Sequence, residues 1–379
     1  MDSQDGSERY EAVVIGAGQG GLAAGYHLKR RGIDLVVLEA NDRVGDQWRS
    51  RYDSLRLYSP AKYDALPGKA FPLSRNAFPT GHQMADYLES YAAHFEIPVQ
   101  TDVQVDSLRS AGDRYLITAG ERSFDAAQVV IAAGFFRVPQ VPVFAADLDP
   151  AIRQLHSSDY RSPAQLVDGP VLVVGLSHSG ADLAMEAVQG HPTILSGRGH
   201  GQLPFSVDSR RGQLAWPVMK FVASNLLTLR TPIGRKMAPE IRKGGAPLLR
   251  YRRSDLLQAG VEMTDARTVG AQDGLPVLAD GRVLDVANVI WCTGFHPDFS
   301  WVRLPIFDAD GWPEQKRGVV TSVPGIYFVG LLFQYGFTSM LVVGAGRDAA
   351  YVVDRAAARA GQAGTPTASA GPGREEPAQ

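Results

Sequence analysis

The chain has 379 residues, 45% of them hydrophobic, which is enough for two or three domains with filled cores. Its formal charge of −2 gives no electrostatic case for nucleic acid as a main partner. A single cysteine, Cys292, excludes disulfide frameworks, CxxC redox pairs and cysteine-based zinc sites within one chain. No signal-like apolar core and no run of about 18 apolar residues occurs, so a cytoplasmic location is expected. Residues 1–8 are polar and 361–379 are rich in Gly, Pro, Ala and acid, so both tails are expected to be disordered.

From Tyr10 the sequence YEAVVIGAGQGGLAAGYHLKRRGIDLVVLEA predicts a strand, a glycine turn, a helix and a second strand ending at Glu39. Gly16, Gly18 and Gly21 make the phosphate fingerprint, with Gly20 in the same turn. Such glycines let backbone approach a pyrophosphate at a helix N-terminus, and an acid at the end of the second strand accepts from a ribose hydroxyl. This unit is read as a dinucleotide site.

A second unit starts at Gly169 with GPVLVVGLSHSGADLAMEAV. Gly175 and Gly180 keep the outer fingerprint positions, but Ser177 stands at the middle one, where backbone comes closest to phosphate. Its second strand, PTILSGRGH, ends in Arg198 rather than an acid. A guanidinium there can pair with a 2′-phosphate, which suits NADPH better than NADH or FAD. A nucleotide-free Rossmann-like unit, with Arg198 a solvated surface charge, stands as the other reading.

Two segments of one shape, FDAAQVVIAAGFFRVPQVP (124–142) and LDVANVIWCTGFHPDF (284–299), flank that second unit. They mark where the chain leaves one domain and returns. The expected fold is α/β, with two dinucleotide-binding (Rossmann-like) domains, one inserted into the other: 9–160 with 280–360, and 161–279. Cys292, in a strand-like run, is expected to be a buried, inert thiol.

Residues 201–253 form a basic insert carrying Arg210, Arg211, Lys220, Arg230, Arg235, Lys236, Arg242, Lys243, Arg250, Arg252 and Arg253 against Asp208 and Glu240. Trp216, Met219, Val222, Leu226 and Leu229 have helical spacing. Two readings stand: a helical flap whose apolar face lines the substrate pocket while its charges are solvated, or a surface contact with a membrane or partner.

The ordered set of both fingerprints, GDQW (45–48), RYDSLRLYSPAKYDALPG, FPTGHQMADYLESYAAHF, HSSDYR and VIWCTGFHPD resembles the class B flavin-containing monooxygenases. The bacterial members and the plant YUCCA-type enzymes are the most similar, over about 10–357. The resemblance implies FAD in the first unit and NADPH in the second. It also implies O2 and a small organic substrate as reactants, one oxygen atom passing to a nitrogen, sulfur or 2-oxo acid centre through a C4a-(hydro)peroxyflavin. The chemistry would belong to the cofactor, with the protein orienting it and excluding water. By position the resemblance places Gly16, Gly18, Gly21 and Glu39 on the FAD pyrophosphate and ribose, and Gln47 and Trp48 along the cofactor. Val103 would meet the adenine through its backbone, and Ala133 and Gly134 would pass the pyrophosphate. Gly175, Ser179, Gly180 and Arg198 would serve NADPH, and Gly330 and 336–339 would approach the isoalloxazine.

The chain departs from the family segment F-x-G-x-x-x-H-x-x-x-Y, keeping His156 and Tyr160 but having Pro150 and Ile152 at the Phe and Gly positions. Animal members hold an asparagine near the flavin where this chain has Tyr58, so Tyr58 and Ser59 become the candidates there. His156 reads equally as a hinge residue or as a loop hydrogen-bonder. His178, His191 and His200 lack metal spacing, and no metal is expected. Two alternatives stand beside the monooxygenase: a reductase passing electrons from NADPH to a carrier, and a non-catalytic flavin-binding protein.

Overall fold

The computed structural model describes residues 6–242 and 244–363. The first strand-turn-helix-strand unit is β1 (Glu8–Ile15), α1 (Gln19–Lys29) and β2 (Leu35–Leu38). The last four residues of β1 and all of β2 are buried, as expected of parallel strands covered on both faces. β1 pairs in parallel with β2 on one side. α1 presents Gly20, Gly21, Ala23 and Ala24 to the interior, small side chains that let the helix axis lie close to the sheet.

A short helix, α2 (Asp46–Arg49), precedes α3 (Gly81–His94). Thr80 caps α3 by accepting from the Gln83 amide while the Gln83 side chain accepts from the Thr80 amide. The strands β3 (Val99–Gln100), β4 (Ser107–Ala111), β5 (Arg114–Ala119) and β6 (Arg122–Ile131) follow. β6 pairs with β1 along one edge. Its other edge pairs antiparallel with β5 over its first half and in parallel with β17 (Ile326–Phe328) over its second. The first sheet therefore runs β16-β4-β5-β6-β1-β2-β3, with β16 at Val302–Arg303.

The chain leaves this sheet through β7 (Val138–Pro139) and returns through β15 (Phe295–His296), and these two strands pair with each other. Between them lies a wholly parallel sheet, β11-β10-β9-β14-β8. Its strands are β8 (Arg153–His156), β9 (Val171–Val174), β10 (Thr193–Ser196), β11 (Glu262–Thr264) and β14 (Asn288–Trp291). α4 (His178–Ala187) follows β9, and a hairpin of β12 (Thr268–Gln272) and β13 (Leu275–Leu278) precedes β14. One α/β unit is thus inserted in another. The division expected at 160/161 and 279/280 shifts, because β8 and β14 both hydrogen-bond within the second sheet. The crossings fall instead at the β7–β15 ribbon.

The insert holds α5 (Arg210–Phe221) and α6 (Pro232–Arg242), followed by α7 (Arg253–Gln258). The expected continuous helical stripe to Leu229 does not form. α5 carries Pro217, which lacks an N–H, passes into a π-helical turn at Val222–Leu226, and stops before Thr231-Pro232 opens α6. α8 (Val342–Ala363) closes the fold, its buried Ala345, Ala349, Val352, Val353 and Ala356 in one core with α1. Most of the expected disordered tails, 1–5 and 364–379, lie outside the described residues. Within them, Glu8 opens β1 and 361–363 continue α8.

Candidate dinucleotide and substrate site

The two glycine turns share one steric design. In the first, Gly16 has φ +102°, and a Cβ there would lie 2.5 Å from the Ala132 carbonyl oxygen. A Cβ on Gly21 would lie 1.8 Å from the Gly16 oxygen, so helix and strand could not pack as they do. In the second, Gly175 has φ +117°, with the Cys292 oxygen 2.3 Å from its built Cβ, and a Cβ built on Gly180 would lie 1.8 Å from the Gly175 oxygen. The outer fingerprint glycines of both turns are therefore required by packing.

The middle position differs. Around Gly18 the nearest atom to a built Cβ is Gln47 Oε1 at 3.8 Å, and around Gly134 it is Gln47 Nε2 at 3.7 Å. Gln47 is exposed, and its amide lies between Gly18 of the first turn and Gly134 after β6. Gly330, φ +94°, has nothing within 4 Å of a built Cβ. Backbone bare on one side, with an amide across it, is what a pyrophosphate cradle requires. Gly20 faces away from this groove, against Val329 Cγ1, and so serves packing.

Glu39 is only 8% exposed, and both its oxygens are engaged. Oε2 accepts from the Ala17 amide at 2.7 Å, while Oε1 accepts from the Asn41 backbone and side-chain nitrogens at 3.1 and 2.5 Å. The Val103 amide donates to the Glu39 carbonyl at 2.8 Å, which ties the 101–105 segment to the end of β2. Trp48 packs on the core beneath the groove. Gly16, Glu39 and Ala133–Gly134 thus follow the carboxyl ends of the parallel strands β1, β2 and β6, with Gln47 beside Gly18 and Gly134.

At the second turn Ser177 is the N-cap of α4 with φ −143° and ψ −164°, extended backbone that any residue adopts, and its hydroxyl makes no capping bond. Ser179 is the second residue of α4. Beyond β10, exposed Arg198 stands at a cleft of about 380 Å³ shared with Leu176, Gln202, Arg253 and Asp265. Arg253 Nη1 pairs with Asp265 Oδ1 at 2.9 Å, so the one acid in the cleft is neutralised. Arg198 has no carboxylate within ion-pair distance among the described residues.

Tyr58 does not stand free over the first groove. Its hydroxyl donates to Asp182 Oδ2 on α4 at 2.6 Å, and its ring lies 4.7 Å from both the His178 ring and the Arg250 guanidinium carbon. Arg250, 9% exposed, pairs with Asp182 at 3.1 Å and Asp208 at 2.8 Å, and donates to the carbonyls of Arg56 and Leu57. Tyr52 donates to Asp182 as well, at 3.3 Å. Burial raises the Asp182 carboxyl above its usual range and lowers His178 to about 4, so the imidazole is neutral. Ser59 donates to Asp64 Oδ1 at 2.5 Å, while buried Asp64 Oδ2 has no partner among the described residues, and burial lifts this carboxyl to about 7.

Asp182 belongs to no sequence motif, and Arg250, expected as a solvated charge of the insert, is buried. The available signal was an acid on the core face of α4, among Ala181, Leu183 and Ala184. His156, at the end of β8, has loop contacts. Its Nδ1 lies 2.8 Å from Ser158 Oγ, its Nε2 3.1 Å from the Gly294 carbonyl, and its ring sits edge-on to Phe295. Cys292 follows β14, and burial pushes its thiol well up.

The insert covers the segment expected near the isoalloxazine. The Leu229 amide donates to the Tyr335 carbonyl and the Phe337 amide to the Leu227 carbonyl, both at 2.9 Å. Trp216 lies against Tyr63 with centroids 5.6 Å apart. Of the apolar stripe expected to face inward, Trp216, Met219, Val222 and Leu229 are half-buried and Leu226 is exposed, with Trp216 and Lys220 against Tyr63. A second apolar set was not expected: Leu214, Val218 and Phe221 are 81%, 65% and 59% exposed on the other side of α5.

A profile of the family described as "Pyridine nucleotide-disulphide oxidoreductase" matches residues 13–202. The chain is 38% identical over 345 residues to an uncharacterized CzcO-like oxidoreductase of Geobacillus kaustophilus, covering 91% of this chain and 97% of that protein. It is 27% identical over 390 residues to the indole-3-pyruvate monooxygenase YUCCA1 of rice, Oryza sativa subsp. japonica, covering 92% and 93%. Among solved structures it is similar to a flavin-containing monooxygenase from Stenotrophomonas maltophilia, at TM-score 0.74 and 26% identity, over 93% of this chain and 99% of that one.

Proposed function

The chain belongs to the class B flavin-containing monooxygenases, within the pyridine nucleotide-disulphide oxidoreductases, and from this premise we propose that it transfers one oxygen atom from O2 to a nitrogen, sulfur or 2-oxo acid centre of a small substrate, using FAD and NADPH. FAD belongs at the first glycine turn and NADPH at the second, with the unit of the first sheet as FAD-binding domain and the inserted unit as NADP-binding domain. The observation that carries this reading is the pairing of two sterically equivalent turns with opposite charge at the end of the following strand, Glu39 in one and Arg198 in the other. The acid suits ribose hydroxyls, and the cation suits a 2′-phosphate.

The residues fit the groups. Gly18 and Gly134 leave room along the first groove, Gln47 offers an amide across it, and Gly330 leaves room beyond. FAD held there and reduced by NADPH would supply the activation of O2. The insert, hydrogen-bonded across Tyr335–Phe337, shields the far end of the groove from water and sets which substrates reach it. Tyr58 acts through Asp182, fixing the loop beside the groove to α4.

Anaerobic mixing of the FAD-loaded protein with NADPH, followed by ¹⁸O2 and a panel of amines, sulfides and 2-oxo acids, tests the proposal. Bleaching of the flavin and one ¹⁸O in a product are expected. Bleaching with all reducing equivalents recovered as hydrogen peroxide or in an added electron carrier, and no labelled product, would mean a reductase. Absence of bleaching would mean a non-catalytic flavoprotein.

A further inference from the structure

On the outside of the insert, α5 carries Leu214, Val218 and Phe221 at i, i+4 and i+7, a spacing that places them on one face. That face is open to solvent along its length, as the exposures above show. Arg210 and Arg211 project on either side of it. α6 repeats the pattern, with Ile233 and Met237, 54% and 37% exposed, one turn apart on a helix that also carries Arg235 and Lys236. Bulky apolar side chains at solvent are ordinary when scattered singly. Here they form stripes on two successive helices of one insert.

The charge around the stripes says what covers them. The insert holds two acids, Asp208, paired with Arg250, and Glu240 on α6, against eleven cations, while the whole chain is slightly acidic at −2. The insert is therefore net cationic in a chain that is net acidic elsewhere, and Arg210, Arg211 and Lys236 are exposed cations beside the stripes. A second copy meeting this face across a two-fold axis would set cation against cation, because the same patch faces itself. A partner with dispersed negative charge and an apolar interior satisfies both features at once. No helix among the described residues is long and apolar enough to cross a membrane, so the contact would lie along a surface.

We propose that α5 and α6 form a peripheral docking surface for an anionic phospholipid bilayer. Leu214, Val218, Phe221, Ile233 and Met237 enter the acyl boundary, while Arg210, Arg211 and Lys236 lie at the headgroups. The contact lies outside the dinucleotide grooves, and it stands whatever the enzyme oxidises.

The test is co-flotation of the FAD-loaded full chain with vesicles of phosphatidylcholine alone and with phosphatidylglycerol added, at low and high salt. Binding should appear only with phosphatidylglycerol and fall about tenfold or more as salt screens the cations. The triple variant L214S/V218S/F221S should lose about tenfold or more of that binding while keeping flavin content and Tm, since its sites are exposed. R210E/R211E should do the same. No binding at any phosphatidylglycerol fraction would overturn the proposal. So would unaltered binding by both variants, or a dimer by light scattering that the triple variant dissociates.

Discussion

At the scale of single residues, the proposed preference of the second site for NADPH turns on Arg198. It is exposed beside a cleft whose only acid is already paired, so its charge is available to a ligand phosphate. Arg198→Ala should weaken NADPH about 10- to 100-fold in a binding titration and NADH by less than about threefold, since only NADPH offers the 2′-phosphate. Equal losses for both would remove Arg198 from the site. Ser177 bears differently on the same cofactor: its backbone is extended and its hydroxyl caps nothing, so Ser177→Gly should leave NADPH affinity unchanged or tighter. Asp64 is a second kind of residue-scale case. Its folded-state value of about 7 lies above the ordinary 3.8, so between those values the folded chain holds a proton that the unfolded chain lacks. Stability should therefore rise as pH falls from about 8 toward 4, with no further gain from this group below that. Asp64→Asn should flatten this slope in thermal melts at several pH values and be more stable at pH 8 by on the order of a few kcal/mol.

At the scale of elements, α4 has two tasks, with its N-terminus at the second glycine turn and its middle holding Asp182. Tyr58→Phe removes one hydrogen bond to that carboxylate, so a Tm drop equivalent to about 1.5–3 kcal/mol is expected, with modest change in turnover. Turnover abolished at unchanged Tm would instead return Tyr58 to the flavin. The two strand-turn-helix units were legible because their signals are local: glycine spacing, apolar runs and an acid or cation at a strand end all lie within about 30 residues. The partners of Tyr58 were not, because Asp182 and Arg250 lie far from it in the chain and meet only after the second sheet has formed. The insert fell between these cases. Its cations and apolar residues were visible, but which side each takes depends on Tyr63 and Tyr335, which no periodicity within 201–253 encodes. Pro217 and Thr231-Pro232 marked where the helices would be disrupted, yet the count of apolar positions ran past them.

At the scale of the whole molecule, two sheets with separate cores are joined by the thin β7–β15 ribbon and by what packs between them. Arg250 is the most connected group in that region. It comes from the end of the insert, between α6 and α7, and it reaches Asp182 on the second unit, Asp208 at the foot of the insert, and two carbonyls of the 56–57 loop in the first unit. Burying a guanidinium is costly unless its donors are satisfied, and here they are met from three parts of the chain at once. Removing the cation leaves Asp182 buried and uncompensated, a loss of about 3–5 kcal/mol rather than the small value of a surface pair. Because the lost contacts are those between units, the loss should appear as lost cooperativity and not as uniform softening. In calorimetry the FAD-loaded chain should unfold in a single transition, and Arg250→Met should divide it. The second unit should melt first, and release of flavin fluorescence should follow the later step. A variant that still melts in one step, at a Tm merely lowered, would place the coupling in the ribbon and in the Tyr52 and Tyr58 bonds to Asp182 instead of in Arg250.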